Sequence, residues 1–169
     1  GIRYKVVVCL CFIWWQATVM LMRPAGVINV LLPTKESSVA GETDLSKLLG
    51  SMSPELMPDE YVFCSVQGEY RDVHELSPLA SYREVEGLTL VVLKEVAIAN
   101  KLPFESVFRG ITLTIHSSLD AVGLTAAVST KLAEKGISAN VIAAYYHDHI
   151  FVQAEKAELA IEALGEFCS

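Results

Sequence analysis

The loop from Ser117 to Leu124 has the residue types and the position needed to bind a negatively charged ligand. It leads from a predicted strand into a predicted helix, whose free backbone N–H groups and positive dipole end favour a carboxylate or a phosphate. Gly123 lets a ligand approach the backbone closely. The loop has no lysine and none of the glycine patterns of nucleotide-binding loops, so a phosphate is poorly supported. The alternative is structural: Asp120 caps the helix and Gly123 relieves packing against a strand.

The sequence His147-Asp148-His149 could bind a metal ion, because two imidazoles and a carboxylate can ligate zinc or another divalent ion. A further ligand would have to come from His116 or His74. A hairpin turn at His147-Asp148 would instead expose these side chains to water. We therefore expect no metal and no other cofactor, and we keep a small metal-dependent enzyme that uses His147 and His149 as an alternative.

No residues have the arrangement of a nucleophilic catalytic site. Cys64 lies in a predicted hydrophobic strand, where a buried thiol is unreactive. His116, Ser117 and Ser118 are consecutive, and consecutive side chains of an extended segment point in different directions. We therefore expect no catalytic residues and no enzymatic activity.

Length, charge and cysteine content limit the class of protein. The 169 residues have room for one ordinary domain or two small domains that share a core. Thirteen basic and 20 acidic residues give a formal net charge of −7, so the chain lacks the basic surface that nucleic acids require. Four scattered cysteines are too few for a disulfide framework, which favours a reducing compartment and hence the cytoplasm.

The second half of the chain has a clear order of strands and helices. Alternating apolar residues predict strands, and apolar residues at every third or fourth position predict helices. The predicted order is βαββα, which is typical of ferredoxin-like folds. We predict strands at 109–116, 137–146 and 149–153, and helices at 121–135 and from Ala157 to the end.

The first half repeats this order in a shorter form. Its second and third strands lie on either side of Gly87. Tyr61 and Leu88 are 27 positions apart, whereas the corresponding Ile111 and Ile150 are 39 apart, so the first helix of this copy should be shortened. We also predict a helix at 44–51, a strand at 61–66 and a helix at 94–102.

One stretch of the chain resembles a known family. The residues D-x-V-G-L at 120–124, followed by L-A-E-K-G-I at 132–137 and by Asn140, resemble the ACT-domain pattern. In that pattern D-x-P-G-L opens the first helix, and L-A-E-x-G-I-x-x-N leads into the second strand. The region from Thr43 to Phe167 is similar as a whole to tandem ACT proteins. The resemblance implies an α+β protein of two ferredoxin-like, βαββαβ-type ACT domains packed together.

The resemblance also implies a function. ACT domains are regulatory modules that bind amino acids, so we expect a non-catalytic sensor that acts on a partner or within a homodimer. The ligand carboxylate would bind backbone N–H groups, and Asp120 or Asn140 would face the ammonium group. A structural interaction module is the remaining alternative. The site residues that the resemblance implies are Asp120, Val122, Gly123, Leu124 and Asn140, and the domains it implies are an abbreviated one at 43–104 and a second at 105–169.

The first 26 residues are treated apart from these domains. Arg3 and Lys5 precede the run 6–22, in which all but two residues are apolar, as in a signal peptide or a membrane anchor. The 17 residues of this run are near the lower limit for a membrane span, and no small-residue cleavage pattern follows it. We expect residues 1–26 to be a signal, an anchor or a non-native extension, with a genuine buried strand as the remaining alternative, and we expect membrane contact only if they are native.

Overall fold

The computed structural model describes residues 44–114 and 122–168, together with the backbone of residues 6 and 7. This part of the chain contains seven strands and five helices. The strands are β1 (Val6–Val7), β2 (Pro54–Val66), β3 (Ala80–Arg83), β4 (Leu88–Leu93), β5 (Val107–Leu113), β6 (Asn140–Ala143) and β7 (Asp148–Gln153). The helices are α1 (Leu45–Ser51), α2 (Tyr70–Val73), α3 (Lys94–Ala99), α4 (Leu124–Glu134) and α5 (Ala157–Gly165).

All strands belong to one sheet, in the order β1-β6-β7-β5-β2-β4-β3. The β1–β6 pair is parallel, and the other neighbours are antiparallel. The run β2-α2-β3-β4-α3 is followed by β5-α4-β6-β7-α5, which confirms the predicted repeat of the βαββα order. Strands β2 and β5 pair with each other at the centre, so each repeat completes the sheet of the other. The predicted α+β, ferredoxin-like fold is confirmed.

The helices cover one face of this sheet. In the second repeat, α1, α4 and α5 pack on β5 and β7, and Leu48, Val128 and Leu164 are fully buried there. In the first repeat, a smaller cluster joins β2 and β4 to Ala97 of α3. Helix α2 has only four residues and α4 has eleven, so the shortening predicted for the first repeat is found in this helix.

An aromatic cluster made of strand residues covers the opposite face. Phe151 lies at its centre with 1% of its surface exposed, and its ring meets those of Tyr61 and Phe63 edge-on at centroid distances of 5.8 and 5.6 Å. A side chain at Gly110 would collide with the sulfur of Met57, which folds over the sheet here. Glycine at this position therefore allows the two central strands to keep an aromatic core on this face.

Strand β2 is longer than predicted, because two prolines do not interrupt it. The expected strand at 61–66 extends back to Pro54, the first residue of the strand, where a missing N–H is tolerated. The pairing register with β5 shifts between Leu56 and Glu60, and Pro58 lies in this bulge. The guanidinium of Arg109 donates two hydrogen bonds to the carbonyl oxygen of Met57, at 2.6 and 3.1 Å. These bonds give this carbonyl group of the bulge a partner.

The helix predicted at 44–51 is confirmed as α1, with the Asp44 carboxylate accepting a hydrogen bond from the Lys47 N–H at 3.1 Å. The helix predicted at 94–102 is shorter and ends at Ala99.

Of the first 26 residues, the backbone of Val6 and Val7 pairs with Val141 and Ile142 of β6. The rest of that segment lies outside the described residues, and its separation from the domains stays a prediction. Within the described part of the chain, none of the helices combines the length and apolar character that crossing a membrane would require.

Candidate ligand-binding site

The turn that opens α4 has no side-chain hydrogen bond from its first residue, Gly123. Gly123 is the residue that precedes the helix, with φ 101°, and its carbonyl oxygen accepts the first helical hydrogen bond from the Ala127 N–H at 2.9 Å. Glycine has no side chain with which to cap the N–H groups of the first turn. Val122 before it is 84% exposed, and Leu124 after it is buried in the core. The start of α4 is therefore anchored by Leu124 and open to solvent at Val122.

Gly123 is required at this turn for two reasons. Its φ of 101° is a left-handed conformation that L side chains rarely adopt. A Cβ at this position would lie 3.1 Å from Cδ2 of Leu45, so the turn packs directly against α1. The role of Gly123 in the close approach of a ligand stays a prediction, and Leu45 already occupies the side on which a Cβ would point.

The structure does not bring all predicted site residues together. Val122, Gly123 and Leu124 are contiguous at the start of α4, and Asp120 lies outside the described residues. Asn140 is the first residue of β6 and pairs with Phe151 on the face that carries the aromatic cluster. Its side-chain amide donates to the carbonyl oxygen of Phe151 at 3.1 Å. Helix α4 covers the other face, so Asn140 and the α4 turn are on opposite sides of the sheet.

The predicted hairpin turn at His147-Asp148 is wrong. The turn spans residues 144–147, closed by a hydrogen bond from the Ala144 N–H to the carbonyl oxygen of His147 at 3.1 Å. The exposed tip is Tyr145 and Tyr146, two residues that sequence rules assign to strands. Asp148 consequently belongs to β7 and is buried.

Strand alternation separates the three residues that were considered as metal ligands. Asp148 lies beside Leu113 on the helix-covered face, whereas His149 lies beside Thr112 on the other face. His149 Nδ1 is 3.1 Å from the hydroxyl of Thr112, and burial and then nearby His147 lower the pKa of the imidazole. In the described ranges, which omit His116, no group of three or more potential ligands is positioned to hold a metal ion.

Sequence reasoning missed Asp148 as a buried residue. The sequence pattern indicates this burial, because the strand alternates between two sets of residues: Asp148, Ile150 and Val152 on one face, and His149 and Phe151 on the other. Ile150 and Val152 are plainly core residues, and an extended chain puts Asp148 on the same face as them. Burial raises the pKa of the Asp148 carboxyl group, and the nearby charge of His147 partly offsets this effect.

A concave region lies in the first repeat, away from α4, which belongs to the second repeat. It is a groove of about 720 Å³ between α2 and α3, with Val73 and Leu76 on one side and Val96 on the other. The short α2 leaves this groove uncovered, and none of the predicted site residues lines it.

Comparisons with known proteins agree with this architecture. Residues 40–109 and residues 105–166 each match a family model described as an ACT domain. A crystal structure of a Vibrio cholerae protein of unknown function, described as a possible transport protein, is 61% identical to this chain. The alignment covers 74% of this chain and 96% of that one, with a TM-score of 0.70. The protein therefore belongs to the ACT-domain family and carries two ACT domains in tandem.

More distant structures share the fold alone. An Agobacterium tumefaciens protein is 15% identical with a TM-score of 0.55, over 69% of this chain and 89% of that one. The ligand-free regulatory subunit of aspartate kinase from Thermus thermophilus is 10% identical with a TM-score of 0.51, over 72% of this chain and 99% of that one. No curated protein matches the chain.

Proposed function

We propose that the protein is a non-catalytic sensor that binds a free amino acid at the start of α4 and passes the bound state to a protein partner. The observation that carries this proposal is the conformation of Gly123, a left-handed residue without a side chain at the start of an 11-residue helix. Its position falls within the part of the chain that matches the ACT-domain family. The regulatory subunit of aspartate kinase has the same fold, which supports a regulatory role.

The ligand carboxylate is the group that the α4 turn binds. The N–H groups of the first turn, which have no partner within the helix, point out of it, and the helix dipole adds a partial positive charge there. The first turn of α4 has no acidic residue that would repel an anion. An amino acid carboxylate therefore receives charge-assisted hydrogen bonds from the backbone.

Contact between the turn and α1 offers a route from ligand to partner. The Gly123 backbone lies against the side chain of Leu45 at the beginning of α1. At the other end of α1, the thiol of Cys168 donates to the carbonyl oxygen of Met52 at 2.7 Å. A ligand that orders the α4 turn consequently stabilises α1 and the C-terminal turn of the chain as well. We place the protein in the cytoplasm as a homodimer, in which this region contacts the dimer mate or the regulated protein.

A thermal-shift screen against the twenty common L-amino acids tests this function. A ligand that binds only the folded state adds about 2.7 kcal/mol at one hundred times its Kd. For a chain of this size that corresponds to a rise in Tm of about 5 to 11 °C. The carboxamide of the same amino acid, which lacks the carboxylate, should give no rise.

The variant Gly123→Val should abolish the rise, because a side chain there strains the left-handed turn and pushes against the side chain of Leu45. Gly50→Val is the matched control, since no atom lies within 4 Å of a Cβ built at Gly50. Circular dichroism establishes that each variant is folded. If no amino acid raises the Tm of the wild type, the sensor function is wrong and the chain is an interaction module.

A further inference from the structure

Asp148 is the one charged or polar residue that is buried in the described part of the chain, with 8% of its surface exposed. Its neighbours across the strands are Leu113 on β5 and Ala143 on β6. The next residue of β7 on the same face is Ile150, which is fully buried. The carboxylate therefore lies at the edge of an apolar core.

The Asp148 carboxylate has no hydrogen bond and no ion pair among the residues that the structure describes. An ionised carboxylate that leaves water without a partner is strongly unfavourable. Nearby His147 partly relieves this cost through its charge. Among the described side chains, the fully enclosed polar atom without a partner is Oε1 of Gln153 and not an oxygen of Asp148, so a cation that arrives with a ligand can still reach this carboxylate.

Asp148 and the α4 turn lie at the same end and on the same face of the sheet. Asp148 begins β7 opposite Leu113, the last residue of β5, and the chain leaves β5 at this point on its way to α4. Leu124, the first residue of α4, is buried in the same apolar cluster as Leu113. An anion site on the backbone and a buried carboxylate therefore face the same region.

We propose that Asp148 accepts the ammonium group of the amino acid whose carboxylate is bound at the start of α4. This assignment rests on the proposed sensor function. It gives the ammonium group a partner on the helix-covered face, whereas Asn140 lies on the opposite face and already donates to Phe151. The bound zwitterion supplies the Asp148 carboxylate with an ion-pair partner, which no lysine or arginine among the described residues provides. Asp148 thereby selects ligands that carry both a carboxylate and an ammonium group.

The test compares three probes on the full chain by calorimetric titration and thermal shift. The probes are the L-amino acid that gives the largest shift with the wild type, its N-acetyl derivative and its carboxamide. The N-acetyl derivative keeps the carboxylate but has no ammonium charge. We expect the N-acetyl derivative to bind the wild type about 10-fold to 100-fold more weakly than the free amino acid, as for loss of a hydrogen bond to a charged group.

The variant Asp148→Asn should weaken binding of the free amino acid by a similar factor and leave binding of the N-acetyl derivative unchanged. Asp59→Asn is the matched control, because Asp59 is exposed in the bulge of β2. Asp148→Ser provides a second variant if Asp148→Asn does not fold. If Asp148→Asn binds the free amino acid as tightly as the wild type, the assignment of Asp148 is wrong and the sensor function stands. If the wild type binds no amino acid, both are wrong.

Discussion

Replacing Asp148 by asparagine should stabilise the unliganded protein. The two side chains have nearly the same shape, but asparagine carries no charge, so the variant removes the cost of burying an ionised carboxylate beside Leu113. Leaving a buried polar group without a partner costs about 1 to 3 kcal/mol, and more when the group is charged. The side-chain amide of the new asparagine has no partner among the described residues either. The variant therefore recovers only the part of the burial cost that comes from the charge. We expect a gain of about 1 to 2 kcal/mol, which raises Tm by about 2 to 8 °C.

The pH dependence of this gain identifies its cause. Burial raises the pKa of Asp148 above the ordinary value of 3.8, so the folded state binds the proton more tightly than the unfolded state does. The ionised carboxylate therefore destabilises the wild type at pH values above the folded pKa, and this cost disappears as pH falls below the unfolded value. The advantage of Asp148→Asn should be larger at pH 7 than at lower pH and close to zero at about pH 3, below the ordinary pKa of 3.8.

Urea denaturation of the wild type, Asp148→Asn and the control Asp59→Asn at both pH values measures the effect. The control should change the free energy of unfolding by less than about 0.5 kcal/mol, because Asp59 is exposed. If Asp148→Asn is less stable than the wild type at pH 7, the carboxylate stabilises the unliganded fold and the reasoning is refuted. A gain that is equally large at pH 3 would show that the charge is not its cause.

Three further expectations follow from the fold. Phe151→Ala should lower the free energy of unfolding by about 3 to 5 kcal/mol in urea denaturation. Tyr145→Ala, at a position 72% exposed, should have little effect. If both variants lose a similar free energy of unfolding, the aromatic core is contradicted. His149→Ala should cost about 1 kcal/mol through loss of its contact with Thr112, and an unchanged urea midpoint would contradict that contact. A chain that begins at Val27 should fold, because the described cores are built from residues after 44, and loss of its circular dichroism signal would contradict this.

Local periodicity was sufficient to predict most of the fold. The apolar stripes of α1, α4 and α5 and the alternation in β4 and β5 depend on neighbouring residues, and their order gave the βαββα repeat. The extent of β2 could not be predicted this way, because Pro58 breaks the pattern and only pairing with β5 creates the bulge that accommodates it. That pairing joins residues far apart in sequence, which periodicity does not report.

The candidate site was only partly predictable for a similar reason. The α4 turn was identified from Gly123 and its neighbours, which are adjacent in sequence. Asp148 was assigned to an exposed turn, because Tyr145 and Tyr146 have strong strand propensity and concealed the true tip of the hairpin. The position of Asn140 on the other face depends on the register of β6 with β7, which the sequence does not specify.

The most direct test of the proposed amino acid site is a map of amide chemical shifts of the ¹⁵N-labelled protein on addition of the amino acid that raises its Tm. We expect the largest changes at Val122, Gly123 and Leu124 and at Asp148, all at one end of the sheet. Changes confined to the groove between α2 and α3, around Val73 and the other residues that line it, would contradict the proposed site.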